Sequence, residues 1–128
     1  MDPTGFAMAS QIMMSAVLHG QEKLRQLCRM KGKETQRLHT KTKQPYDIYQ
    51  YQYKHQAGIA YFYENQTSGN TLQEKLQFQL SGLTIEGNEE GNNMVEFRLG
   101  PGQSKLIELK AIGGMQWKIQ CGMAYAII

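Results

Sequence analysis

The sequence predicts a mainly β fold: an antiparallel β-sandwich of about seven to eight strands with an N-terminal α-helical segment. Three observations carry that expectation. In Leu72–Leu80 the apolar Leu72, Leu76, Phe78 and Leu80 fall on alternate positions, while Gln73, Lys75, Gln77 and Gln79 take the others. Successive strand side chains point to opposite faces, so this run has one dry face and one wet face. Ile107 and Leu109 alternate with Glu108 and Lys110 in the same way. Between such runs lie SGNT, EGNEEGNN and LGPGQS, where Gly and Asn accept positive φ and Pro fixes a turn. Short strands at regular spacing with no helical stretch between them favour a sandwich over a βαβ arrangement.

Residues 7 to about 30 read as helical, because Met13, Val17, Gly20, Leu24 and Leu27 recur at steps of three and four and form one stripe. Asp2 or Thr4 can cap its start. Gly20 within the stripe costs about 1 kcal/mol against alanine, so a break into two shorter helices near His19–Gly20 stays open. The stripe suits a helix packed on the sandwich or on a neighbouring domain. Met8, Met13 and Met14 also suit a partner-binding helix with adaptable thioethers. Lys31-Gly32-Lys33 is expected to end the helix, and Gln36–Gln44 reads as a polar connector. Residues 1–44 thus form a helix and basic connector, and residues 45–128 the sandwich.

Pro45 opens the sheet region. Tyr46–Tyr53 sets Tyr49, Tyr51 and Tyr53 on one face and Gln50 and Gln52 on the other. The tyrosines make either a half-buried cross-strand ladder with hydroxyls at water or an aromatic ligand surface. His55-Gln56-Ala57-Gly58 turns into Ile59–Glu64, which is apolar on both faces and therefore central, giving a hairpin. After Leu72–Leu80, Ser81-Gly82 marks a bend and Leu83-Thr84-Ile85 a short strand. Gly87–Asn93 is the longest polar loop. Met94–Leu99 and Lys105–Lys110 flank the corner Gly100-Pro101-Gly102. In the last run, Gln116–Ile128, the residues Trp117, Ile119, Cys121, Met123, Tyr125 and Ile127 alternate.

A chain of 128 residues can bury one core, and its formal charge of +3 does not by itself call for nucleic acid or membrane. The charge is unevenly placed. Lys31, Lys33, Arg37, Lys41 and Lys43 continue a basic run that begins at Lys23 and holds only Glu22 and Glu34 against it. Such a patch can meet the phosphates of lipid or RNA, and a solvated helix end running into a linker explains the same residues. No aromatic side chain is interleaved, which weighs against single-stranded nucleic acid. Cys28 and Cys121 lie far apart and read as free buried thiols. With no run near the ~18 apolar residues of a spanning helix and no basic-then-apolar secretory leader, a cytoplasmic location is expected. Asn65-Gln66-Thr67 fits a glycosylation sequon but reads as a plain turn.

Reactive constellations are sparse. His19, His39 and His55 can serve as bases and the two cysteines as nucleophiles, but no elbow or helix-start motif joins them. A thiol at Cys121, alternating with Ile119 and Met123, acts as a small hydrophobe. The scattered His and Cys give no zinc spacing. Glu86, Glu89 and Glu90 form an acidic loop that is a weak calcium candidate and is otherwise a solvated turn. No cofactor is implied.

GIAYFYEN at Gly58–Asn65, LQEKLQFQLSGLTIEG at Leu72–Gly87 and VEFRLGPGQSKLIELK at Val95–Lys110 resemble, in their order, the C-terminal β-sandwich (domain III, C2-like type) of calpain-like cysteine proteases. The resemblance covers roughly the last two-thirds of the chain. It implies a non-catalytic regulatory module that packs on a protease core or contacts partner proteins or membranes. The protease's Cys, His and Asn motifs have no counterpart here, and the family's acidic calcium loop is thinly represented. The expected function is therefore a regulatory or interaction domain that binds a protein partner or a neighbouring protease domain. The alternative is a basic phosphate-recognising module docking to anionic lipid or RNA.

Overall fold

A computed structural model describes residues 20–39, 45–87, 93–113 and 116–128. Helix α1 occupies residues 20–31. Eight strands follow among the described residues: β1 (Lys33–His39), β2 (Pro45–His55), β3 (Gly58–Asn65), β4 (Leu72–Ser81), β5 (Leu83–Ile85), β6 (Met94–Leu99), β7 (Ser104–Ala111) and β8 (Lys118–Ile127). They form a five-stranded sheet in the order β1-β2-β3-β7-β5 and a three-stranded sheet in the order β6-β4-β8, every pairing antiparallel. This is the expected mainly β sandwich. Among the described residues no helix is long and apolar enough to cross a membrane.

The alternation read from the sequence puts Leu72, Leu76 and Phe78 of β4 inward, where they meet Ile48, Tyr61, Tyr63, Ile107 and Leu109 of the larger sheet. Tyr61 meets Phe78 edge-on at 5.5 Å, and Tyr63 meets Phe97 edge-on at 5.0 Å. Strand β3 is buried along its whole length. Its inner side faces the sandwich core, while Ala60 and Phe62 on its outer side pack against Cys28 of α1. The helix thus closes the outer face of the five-stranded sheet, and β3 is central in both senses. The amide of Gly32 bonds back to the Cys28 and Leu27 carbonyls at 3.0 and 3.2 Å, ending the helix where Lys31-Gly32-Lys33 suggested.

Two features depart from the sequence reading. The segment expected to be a polar connector is a strand as far as His39, because its backbone pairs with β2 through Arg37↔Tyr49 and Lys33↔Gln52, with irregularities on the way. Its polar side chains gave no alternation to announce it. The Ser81-Gly82 bend is also more than a kink: it carries the chain from the three-stranded to the five-stranded sheet. Gly82 does this at φ +73°, and a Cβ there would lie 2.5 Å from the Gln116 carbonyl oxygen. The residues before Gly20, including the methionines of the expected partner-binding helix, lie outside the described residues.

Candidate functional site

The outer face of the larger sheet carries the tyrosine ladder singled out in the sequence. Tyr49, Tyr51 and Tyr53 are half-buried on β2. Tyr49 stacks on Tyr51 at 6.3 Å, Tyr51 on Phe62 at 6.2 Å, and Tyr53 on His55 at 5.6 Å. Burial, with Glu64 and Glu34 nearby, raises the Tyr51 hydroxyl above its ordinary range. Arg29 reaches from α1 to this ladder. Its Nε donates to Glu64 Oε1 at 2.6 Å and its guanidinium lies 5.0 Å from the Phe62 ring centroid. The ladder is thus tied into the packing of α1.

The basic patch is divided. Lys31 is exposed at the end of α1, whereas Lys33 and Arg37 lie on β1 at register positions opposite Gln52 and Tyr49. Lys41 and Lys43 lie outside the described residues. Arg25 and Arg29, which belong to the same basic run, are engaged by Glu22 and Glu64. In the acidic loop, Glu86 pairs with Lys110 at 3.3 Å, and Glu89 and Glu90 lie outside the described residues. Among the described residues no group of His, Cys, Asp or Glu is placed to hold a metal ion. Asn65 of the sequon is buried, with its amide nitrogen donating to the Asn70 and Leu99 carbonyls and its oxygen accepting from Thr67. It is the last residue of β3, not the plain turn residue expected, and both polar atoms of its side chain are engaged.

The least finished surface lies at the opposite sheet. Strand β8 is an edge: β4 pairs with one side along Lys118–Ile127, and among the described residues nothing pairs with the other. Ile119, Cys121, Met123, Tyr125 and Ile127 share the inward face with Leu72, Leu76 and Phe78, as their cross-strand register requires. Met123 and Tyr125 are nevertheless 41% and 39% exposed. The outward positions of the same stretch are Gly122, Ala124 and Ala126, so the strand also presents a flat outer face.

Behind this edge is a polar row that the sequence reading passed over. Glu74 occupies an inward position of β4, opposite Phe97 of β6 and Tyr125 of β8. It is 3% exposed, and neither carboxylate oxygen has a hydrogen-bond partner. Burial pushes its pKa up to about 7. Close by, the buried Gln50 amide donates to the Tyr63 hydroxyl and, at 3.2 Å, to the Met123 sulfur. Glu74 lies within electrostatic reach of Tyr63 and Cys121, and raises both. A signal was available: a glutamate on the apolar phase of Leu72-Gln73-Glu74-Lys75-Leu76 breaks an otherwise clean alternation.

The thiols are poorly suited to nucleophilic chemistry. Burial pushes Cys28 and Cys121 each up to about 11, so both stay protonated near neutral pH. Both are free, Cys28 on the sheet-facing side of α1 and Cys121 on β8 of the three-stranded sheet. Comparison with family models, curated proteins and solved structures finds no match for this chain.

Proposed function

We propose that this chain is a non-catalytic interaction module that binds a protein partner by adding a partner strand to the β8 edge. One observation carries the reading. A ten-residue edge strand exposes Met123 and Tyr125 on the side that should be dry and shows small residues on the other. Unpaired edges of this kind template strand addition, with main-chain bonds supplying affinity and alternate side-chain positions supplying selectivity. The resemblance to the calpain C-terminal sandwich makes a neighbouring protease domain the first candidate partner, and a cytoplasmic setting fits two free thiols. Selection of a random peptide library on the chain, followed by hydrogen exchange with the enriched peptides, tests the proposal. Protection of Lys118–Ile127 that is lost on Ala124→Lys is expected; bound peptides that leave this strand unprotected would refute it.

A second reading, phosphate docking, draws on the β1–β2 pairing, which sets Arg37 opposite Tyr49 and so brings basic and aromatic positions together. Phosphate binding weakens steeply with salt. Retention on anionic liposomes or RNA at low salt, abolished by Lys31→Glu with Arg37→Glu, is its expected signature; no retention at low salt removes it.

A further inference from the structure

We infer that the strand received by β8 carries a lysine or arginine on its inward face, and that this cation pairs with Glu74. The inference rests on the β8 docking reading and names the chemistry of its partner.

Glu74 is a buried carboxyl with both oxygens unpaired and no cation supplied by any described residue. Buried polar groups are nearly always bonded, and one that is not calls for a partner from elsewhere. The row in which it stands leads outward to the open edge, through Phe97, Glu74 and Tyr125. A strand added outside β8 extends that row by one place. Neighbouring strands lie about 4.8 Å apart, so the added strand is roughly 10 Å from β4. A lysine stem from one side and a glutamate from the other bridge such a gap together, with the methylenes against Met123 and the cation over the Tyr125 ring.

The composition of the chain directs this inference to a different molecule. A second copy paired through its own β8 presents Ile119, Cys121, Met123, Tyr125 and Ile127 on the inward phase, none of them basic, while Lys118 is on the other phase. Residues 1–19 contain no lysine or arginine at all. Neither of these supplies the cation, so the occupant is placed on a strand of a different molecule with a basic residue opposite Tyr125.

The test extends the full chain past Ile128 by an Asn-Gly turn and a ten-residue strand of alternating Thr and Val, with either Lys or Met opposite Tyr125. Tethering raises the effective concentration of the strand to about the millimolar range. Hydrogen exchange reads whether the strand docks on β8. In a background of Glu74, the Lys version should be docked about tenfold more than the Met version at pH 8, as a charge-assisted bond requires. The preference should shrink towards pH 6 as the carboxyl takes up a proton, and should vanish in Glu74→Gln at both pH values. If the added strand stays unprotected in every version, the docking reading itself fails. If it docks equally with Lys and Met, or if the preference survives Glu74→Gln, docking stands and the cation pairing is overturned. An unextended chain in which Glu74 titrates at or below the ordinary carboxylate range overturns it too, because an internal cation then holds the group.

Discussion

Arg29 donates to Glu64 at 2.6 Å while lying over the ring of Phe62. Glu64 is nearly buried and Arg29 about two-fifths exposed, so the pair is anchored on the sheet and only its cation is wet. Arg29→Ala strands a buried carboxylate and uncovers Phe62, at a cost of about 2 kcal/mol. Adding Glu64→Gln to Arg29→Ala should return part of that loss. Urea unfolding of the four chains in the double-mutant cycle measures the coupling; additive effects would mean that the pair does not hold α1 to β3.

Gly58 closes the β2–β3 hairpin at φ +140°, where a Cβ would lie 2.0 Å from the Leu109 carbonyl oxygen of β7. Both the backbone angle and the close approach require glycine. Gly58→Ala should therefore destabilise by about 3 kcal/mol or more. Gly69→Ala, with nothing within 4 Å of the added methyl, should fall within about 0.5 kcal/mol of the parent. Thermal unfolding of the two variants side by side checks the contrast.

Asn65 fastens the loop after β3 to the end of β6, its amide donating to Asn70 and Leu99 at 2.8 and 2.9 Å. Asn65→Asp keeps the bonds from Thr67 but sets a carboxylate oxygen against two carbonyls. A loss of about 3 kcal/mol at pH 7 is expected, eased in acid when the carboxyl can donate again. A pH series of urea midpoints reads both. Expression through a secretory pathway should leave Asn65 unglycosylated in the folded protein, which intact mass determines.

Burial pushes the Glu74 carboxyl up to about 7 in the fold, from an ordinary value of 4.5. The folded state therefore holds the proton more tightly than the unfolded chain. The contribution of this group is most favourable below about pH 4.5, declines as pH rises from there to 7, and is flat above. The full difference is on the order of 3 kcal/mol. Glu74→Gln should remove that slope, and Glu74→Leu should leave the chain more stable than the parent at pH 8. Denaturant midpoints from pH 4 to 8 decide the matter; a parent and a Gln variant with parallel profiles would mean that the carboxyl is hydrated or paired.

Local sequence signals sufficed for the inward phase of β4 and β7, the β2–β3 hairpin and the helix end at Gly32. Each of these depends on residues close in the chain, through side-chain alternation, turn chemistry and spacing. Only the tertiary structure decided that β1 is a strand, that Ser81-Gly82 passes between sheets and that α1 caps Ala60 and Phe62. It also decided that Tyr125 and Glu74 share a row ending at an open edge. Pairing is a contact between distant segments, set by backbone bonds that carry no side-chain signature, so a polar strand such as Lys33–His39 gives no local sign of itself. Burial is likewise collective: whether a glutamate on an apolar phase reaches water depends on what the other sheet and the neighbouring strands lay over it.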